Sequence, residues 1–235
     1  MSPAIAALLG IGDSELVALV GGGGKTTLLF SLAHELVAAG HRVALTTTTR
    51  LGSEEVAAIE MRSVSARPED VARAVRGPGP VAIVVADDGR KIAGPTPGEI
   101  DALFDAGVVD HVLVEADGAR RRPFKAPAAH EPVVPRASTL VVVVMGAEAI
   151  GEVIAEVCHR PERVAELAAV TVNDRLDVAA CVAVLGHPDG GLKGVPAGAR
   201  VILAITKVTA SRRASADEIA LRLRAHQRIE RVVLL

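Results

Sequence analysis

The sequence of 235 residues contains almost no aromatic side chains, with three Phe and neither Tyr nor Trp. Proteins that bind single-stranded nucleic acid rely on aromatic rings on which the bases stack. The formal net charge is also small, −2 from 26 Lys and Arg against 28 Asp and Glu, so no basic surplus attracts polyanions. We therefore expect no nucleic acid among the partners of this protein.

Cysteine and long hydrophobic runs are scarce as well. The two cysteines, Cys158 and Cys181, lie in apolar sequence, which predicts buried and reduced thiols. The longest purely aliphatic run, residues 140–145, is far shorter than the roughly 20 residues that cross a bilayer. Since no signal peptide precedes the first predicted strand, we expect a cytoplasmic protein without a membrane partner.

A glycine-rich segment follows the first apolar run of the chain. The segment consists of Gly21, Gly22, Gly23, Gly24, Lys25, Thr26 and Thr27. Because leucines at helical spacing come after it, the pattern predicts a strand, a tight turn and a helix. Consecutive glycines let several N–H groups point into one concavity, and the helix start adds the positive end of its dipole. We predict a phosphate-binding loop in which Lys25 reaches the β- and γ-phosphates and Thr26 ligates Mg²⁺.

The loop departs from the full phosphate-loop pattern at one position. That pattern requires a glycine where this chain has Leu19. What remains resembles the shortened loop of the ATPase and metallochaperone GTPase branch that includes chromosome-partitioning and nickel-insertion proteins. Some members of that branch carry a lysine just before the glycines, where Val20 stands here.

Strands and helices alternate along the rest of the chain. Four aliphatic runs read as parallel strands buried on both faces, at residues 81–86, 109–114, 140–144 and 201–205. The alternation predicts a three-layer, P-loop NTPase-like α/β fold with a mostly parallel sheet. We expect a single domain over residues 1–235, with a small helical insertion at about 147–198.

Hydroxyl and carboxylate side chains follow two of the predicted strands. Thr47 and Thr49 belong to a run of threonines that either finishes a strand or faces the γ-phosphate and Mg²⁺. Glu115 and Asp117, two residues apart after the run at 109–114, would point the same way in an extended chain. One acid would hold Mg²⁺ and the other orient water or a substrate hydroxyl, and the sequence leaves open which does which. Two carboxylates in a surface turn are the alternative.

A basic, proline-rich segment comes next. It contains four cations within six residues, namely Arg120, Arg121, Arg122 and Lys125. Such charges repel one another unless water or an anion satisfies them. Lys125 and at least one arginine, with Arg120 as the candidate, would therefore bind phosphates of the nucleotide or of a second ligand, and Lys125 would stabilise the transferred phosphoryl group. A solvated basic loop is the alternative, and His130 is either a general base or a hydrogen-bonding prop.

Several longer motifs resemble one particular family. They lie at residues 20–27, 46–50, 114–119, 125–135, 187–190 and 192–196. Together they resemble the selenium-dependent hydroxylase accessory proteins, which are associated with maturation of molybdenum-containing hydroxylases. The resemblance implies an accessory role in preparing or inserting a molybdenum cofactor, with a molybdenum hydroxylase or its cofactor as partner.

The segment at residues 206–209 stands where guanine-specific relatives carry Asn-Lys-x-Asp. Thr209 cannot supply the carboxylate that would accept hydrogen bonds from guanine, so we expect a weak preference for ATP over GTP. Lys207 would still pack its stem along the base.

The sequence thus favours a Mg²⁺-dependent nucleoside-triphosphate-binding accessory protein that hydrolyses the nucleotide or transfers its phosphate. Two alternatives remain open. One is a binding or delivery module, without turnover, for a nucleotide-containing molybdenum cofactor. The other is a small-molecule kinase whose basic segment holds the acceptor.

Overall fold

The computed structural model describes residues 4–52, 61–63, 65–87 and 91–235. These residues fall into two units. The first unit takes its residues from 1–19, 26–116 and 133–140, and the second unit comprises 20–25, 117–132 and 141–235. The glycine-rich loop up to Lys25 therefore belongs to the second unit, and Thr26 belongs to the first.

The first unit is built on parallel strands. Its elements are α1 (Ile5–Leu8), β1 (Glu15–Gly21), α2 (Lys25–Ala38), β2 (Val43–Thr47), β3 (Arg50–Gly52), β4 (Met61–Ser63), α3 (Pro68–Ala74), β5 (Val81–Ile83), β6 (Ala86–Asp87), β7 (Lys91–Ala93), α4 (Pro97–Asp105) and β8 (His111–Glu115). The strand order is β1-β8-β2-β5-β4, and β3, β7 and β6 form a small antiparallel sheet. Val112 of β8 lies opposite Leu16 of β1 and Ala44 of β2, so β8 runs between two parallel neighbours. Such strands are buried on both faces, which explains their continuous apolar sequence.

The second unit combines three long strands with most of the C-terminal helices. Its elements are β9 (Phe124–Lys125), β10 (Leu140–Gly146), a 3₁₀ turn (Ala147–Ala149), α5 (Ile154–Val157), β11 (Cys158–His159), α6 (Pro161–Ala168), α7 (Val178–Leu185), β12 (Arg200–Thr206), α8 (Arg213–Leu223) and β13 (Arg231–Leu234). The long strands follow the order β13-β12-β10, and the two-residue strands β9 and β11 pair with each other in parallel. All seven residues of β10 are buried.

The predicted fold class, a three-layer α/β fold with a mostly parallel sheet, is confirmed. Several element boundaries differ from the sequence prediction. The strand predicted at 81–86 ends at Ile83, and Val85 instead donates its N–H to Ala93 in the small sheet. Within the predicted helical insertion, α5 begins only at Ile154, because Gly151 has φ +81° and donates its N–H to the carbonyl of Leu176.

Helices do lie within residues 147–198, as the sequence predicted. The insertion as a separate body and the single domain over 1–235 stay predictions. Between residues 52 and 77 the structure describes β4 and α3, and residues 53–60 lie outside the described part of the chain. No helix in the described ranges has the length and apolar character needed to cross a membrane.

Candidate functional site

The glycine-rich loop of the second unit can only be built from glycine. Gly21, Gly23 and Gly24 have φ values of +99°, +76° and +105°, in the left-handed region that other residues rarely adopt. A Cβ atom on Gly23 would lie 2.0 Å from the backbone nitrogen of Gly146, and one on Gly22 would lie 2.7 Å from the carbonyl oxygen of Arg122. Glycine is thus required for two reasons: the backbone is curled, and it packs closely against two neighbouring segments.

Three of the loop N–H groups are bonded to the protein itself. Gly21 donates to both carboxylate oxygens of Asp117 at 3.1 and 3.0 Å. Gly22 donates to the carbonyl of Val144 at 2.9 Å, and Gly23 donates to that of Arg122 at 3.1 Å. Helix α2 starts directly after the loop, and the first N–H groups of any helix have no acceptor within it. The donors that suit a phosphate therefore lie at this helix start, and the first three glycines shape the turn.

Lys25 is the buried cation of this loop. Its ammonium group donates to the carbonyl oxygen of Gly21 at 2.6 Å and lies 3.2 Å from a carboxylate oxygen of Asp117. The residue is only 3 % exposed. The positive charge is thus held against the first glycine of the turn, with Asp117 as its counter-ion.

Asp117 also joins Lys25 to a longer chain of buried charges. Lys125 lies 2.9 Å from Asp117 and 2.7 Å from Glu131, and it donates to the carbonyl of Gly118 at 2.7 Å. The ammonium group therefore contacts protein acceptors on three sides, with hydrogen bonds to Gly118 and Glu131 and an ion pair with Asp117. Arg160 completes the network with two bonds to Glu131, of 2.8 and 2.9 Å. Lys125 therefore supports Asp117, which differs from the direct phosphate contact that the sequence suggested.

The charge network fixes protonation states near the loop. Burial by itself would raise the pKa of Glu131, but hydrogen bonds from Arg160 and Lys125 and their charges outweigh burial and lower the pKa to about 2. Burial and the nearby cations lower the pKa of His159 to about 4. At neutral pH Glu131 is thus an anion and His159 a neutral ring. Burial raises the pKa of Cys158 to about 12, so this thiol is protonated and unreactive.

Two of the motifs that carry the family resemblance, at residues 125–135 and 192–196, are bonded to each other in the second unit. Lys193 donates to the carbonyls of Ala128 and Ala129 at 2.5 and 3.1 Å, which joins the two motifs that lie far apart in sequence. A cavity of about 20 Å³ beside Asp117 and Lys125 is lined by Pro127 and Pro132 of the first motif and by Gly190 of the motif at 187–190. That volume has room for one water molecule. These motifs therefore surround and support the charge network.

In the first unit, Thr26 and Glu115 form a second polar pair. The Thr26 hydroxyl donates to a carboxylate oxygen of Glu115 at 2.8 Å, and Glu115 is 6 % exposed. A hydroxyl and a carboxylate are the oxygen ligands that Mg²⁺ takes from a protein, usually with phosphate oxygens and water beside them. Within the described ranges no group of three or more His, Cys, Asp or Glu side chains could hold a metal ion.

The threonine hydroxyls of the first unit bond mainly to backbone groups of the protein. Thr47 donates its hydroxyl proton to the backbone carbonyl of Glu115 at 2.9 Å and accepts the N–H of Thr49 at 2.9 Å. Thr46 and Thr48 donate to backbone carbonyls of Ile83 and Val133. The run therefore fixes the end of β2 against β8, which positions Glu115. A contact of Thr47 or Thr49 with phosphate or Mg²⁺ stays a prediction.

The remaining predicted residues lie on the surface of their units. Thr27 is exposed on α2, and Arg120 is exposed with a left-handed φ of +49°. His130 has a side chain that is 79 % exposed and lies 3.9 Å from Glu131. Lys207 follows β12 and forms an ion pair with Glu148.

Sequence reasoning missed Glu131, Arg160 and Glu148. Glu131 could have been found, since it lies within the long proline-rich motif at 125–135. Arg160 stands in a helix-rich stretch and shows no local signal. Glu148 follows the aliphatic strand β10 by two residues, which is a position comparable with that of Asp117 after β8, and this parallel is a usable signal.

Comparison with known proteins places these features in a family. A family model described as "YqeC protein" matches residues 17–162. The "Uncharacterized protein YqeC" of Escherichia coli (strain K12) is 36 % identical over 199 residues, which cover 82 % of this chain and 75 % of that protein. A crystal structure of the hydrogenase maturation factor HypB from Archaeoglobus fulgidus aligns with 98 % of this chain and 85 % of its own, at 15 % identity and a TM-score of 0.42. This last likeness is too weak to carry an argument.

Proposed function

Because the chain belongs to the YqeC family, we propose a function for it as a member of that family. It is a cytoplasmic, Mg²⁺-dependent nucleoside-triphosphate-binding accessory protein that hydrolyses its nucleotide slowly and acts in maturation of a selenium-dependent molybdenum hydroxylase. The observation that carries the nucleotide part is the ammonium group of Lys25, held on Gly21 at the start of α2. The maturation role rests on the motif resemblance described above.

Lys25 and the helix start would receive the phosphates. A phosphate brought to the N-terminus of α2 would meet N–H groups that have no acceptor within the helix and the positive end of the helix dipole. The ammonium of Lys25 would then exchange Asp117 for phosphate oxygens. Asp117 would keep Lys125 and the N–H of Gly21 as partners, so the exchange leaves no buried carboxylate unpaired.

Thr26 and Glu115 would hold Mg²⁺. Their hydroxyl and carboxylate oxygens already lie 2.8 Å apart, and both are ligand types that the ion prefers. Asp117 is less suited, since two ammonium groups form ion pairs with it and the N–H of Gly21 donates to it. When bound, the metal ion would neutralise charge on the phosphate oxygens. Of the two acids whose roles the sequence left open, we therefore give the metal ion to Glu115 and not to Asp117.

An exposed arginine would then be the cation that stabilises the transferred phosphoryl group. Lys125 is buried against Asp117, Glu131 and the carbonyl of Gly118, so we give it the role of positioning Asp117. Arg120 carries an exposed guanidinium on the same segment, and a planar guanidinium matches phosphate oxygens well. We assign it this contact.

A binding or delivery module without turnover is the second candidate. The observation that favours it is the engagement of Lys125, because a cation buried among protein acceptors cannot follow charge that develops on phosphate. A small-molecule kinase would need the basic segment to hold the acceptor. Because Lys125 of that segment is bonded within the protein, this alternative is less well supported.

One experiment separates the two candidates. Purified protein is incubated with Mg²⁺ and each nucleoside triphosphate in turn, and phosphate release is followed with the Lys25→Ala variant as the blank. Release above the blank, lost on omitting Mg²⁺, supports hydrolysis. Binding without release, with or without a molybdenum hydroxylase present, would leave only the binding module.

A further inference from the structure

Glu148 has no part in the function described so far, although its carboxylate is in an unusual position. One carboxylate oxygen accepts from the ammonium group of Lys207. The other oxygen, Oε2, is buried and has no hydrogen-bond partner in the part of the chain that the structure describes. The side chain as a whole is 39 % exposed, so a ligand could bond to this oxygen once the side chain turns away from Gly146. A buried acceptor left unpaired is unfavourable, which is why such atoms in folded proteins call for an explanation.

The pair of Glu148 and Lys207 lies beside the glycine-rich loop. Glu148 follows β10 and Lys207 follows β12, and these strands are neighbours in the second unit. The carboxylate rests over Gly146, which itself touches Gly23. A Cβ atom on Gly24 would lie 3.9 Å from the Thr206 hydroxyl and 4.0 Å from Cε of Lys207. Loop, carboxylate and ammonium group therefore adjoin one another at the carboxyl ends of the strands, where nucleotides bind in such folds.

From this placement we propose that Glu148 reads the base of the bound nucleotide and selects guanine, an inference that rests on the proposed nucleotide binding. The Watson–Crick edge of guanine offers an imino N–H and an amino group side by side, and a carboxylate can accept from both. The same edge of adenine has an unprotonated ring nitrogen next to its amino group, so one carboxylate oxygen would face a lone pair. Lys207 holds the carboxylate, and its stem supports the base plane.

This proposal reverses the weak ATP preference expected from the sequence. That expectation depended on Thr209, which lacks the charge of an aspartate and bonds to Ser211. Glu148 supplies a carboxylate from the neighbouring strand end instead. The acceptor that guanine needs is thus present, although it stands outside the segment where the sequence pattern places it.

The test compares four triphosphates on three proteins. Binding of the Mg²⁺ complexes of GTP, inosine triphosphate, xanthosine triphosphate and ATP is measured by calorimetry on the parent chain, Glu148→Gln and Glu152→Gln. Glu152 is the matched control, since its carboxylate pairs with Arg212 and is similarly exposed, at 41 %. The parent should bind GTP about 10- to 100-fold more tightly than ATP, which is the discrimination that a bidentate contact to a base provides. Inosine triphosphate, which lacks the amino group, should fall between them.

The two variants should behave differently. Glu148→Gln should lose the whole advantage of GTP over ATP and should gain affinity for xanthosine triphosphate, because the amide can donate to the carbonyl that xanthine has in place of the amino group. Glu152→Gln should match the parent with all four nucleotides. Equal circular dichroism spectra of the three proteins would exclude misfolding as the cause.

Other results would overturn the proposal. A parent that binds GTP and ATP equally, or a Glu148→Gln variant that keeps the GTP preference, would show that Glu148 does not read the base. In that case binding that still depends on Lys25 would leave the proposed function intact. A parent that binds none of the four would contradict the proposed function and this inference together.

Discussion

Replacing Asp117 with asparagine should destabilise the protein strongly, because this carboxylate is the shared counter-ion of two buried ammonium groups. Asp117 is 2 % exposed, and the side chains of Lys25 and Lys125 that flank it are 3 % and 1 % exposed. The asparagine retains the size of the side chain and one acceptor for the N–H of Gly21. What it removes is the negative charge, so the result reports on charge and not on packing.

The expected loss follows from the two distances. At 3.2 and 2.9 Å each ion pair is worth about 5 kcal/mol before dehydration is counted, at an effective dielectric constant near 20. Much of this energy offsets the cost of burying the charges, and Lys125 keeps Glu131 at 2.7 Å. Removing one member of a buried ion pair costs about 3 to 5 kcal/mol in comparable proteins, and we expect a value in that range.

Urea denaturation followed by far-ultraviolet circular dichroism measures this loss, since a chain without Trp or Tyr gives little intrinsic fluorescence. The matched control is Asp217→Asn, which makes the same change in an exposed pair with Arg213 on α8. Its cost should stay below about 1 kcal/mol. If Asp117→Asn lowers the free energy of unfolding no more than the control does, the buried network has been assigned the wrong role.

Two further predictions concern the metal ligands and the response to acid. Thr26→Ala should weaken the Mg²⁺ dependence of nucleotide binding more than binding without metal, which titrations with and without Mg²⁺ will measure; equal losses in both would argue against Thr26 as a ligand. Because the pKa of Glu131 is lowered from 4.5 to about 2, its ionised form stabilises the folded state above pH 4.5 and this contribution is lost as pH falls towards 2. Glu131→Gln should lack that acid-sensitive part, so urea denaturation at pH 7 and pH 3 should show a smaller difference for the variant than for the parent; an equal difference would contradict the assignment.

The sequence predicted the elements whose signals are local. Glycines after an apolar run and leucines at helical spacing were enough to place the loop, β1 and α2. The buried strands β8, β10 and β12 were equally visible, because strands covered on both faces are apolar without interruption.

What the sequence did not predict depends on contacts between distant residues. The N–H of Gly21 bonds to Asp117 across 96 residues, and Glu131 bonds to Arg160 across 29. No spacing rule connects such positions. The paired strands β9 and β11 have two residues each, too few for a periodic pattern to form.

The role of individual charged residues was the hardest part to predict. The sequence showed that Lys125 belongs to a cluster of cations, and it suggested an anionic ligand as the reason. In the structure Lys125 is buried with Asp117 and Glu131, whereas Arg120 stays exposed. Burial decides between these roles, and burial of a single charged side chain leaves no trace in composition or spacing.

The central claim is that Lys25 and the helix start behind it bind nucleoside triphosphate with Mg²⁺. Calorimetric titration of the parent chain, Lys25→Ala and Lys25→Arg with Mg-GTP and Mg-ATP tests this claim most directly, and circular dichroism checks that all three proteins are folded. We predict that the parent binds at least one of the two nucleotides, that Lys25→Ala binds neither, and that Lys25→Arg retains part of the affinity because it keeps the charge. Binding by folded Lys25→Ala equal to that of the parent, or no binding by the parent, would contradict the account.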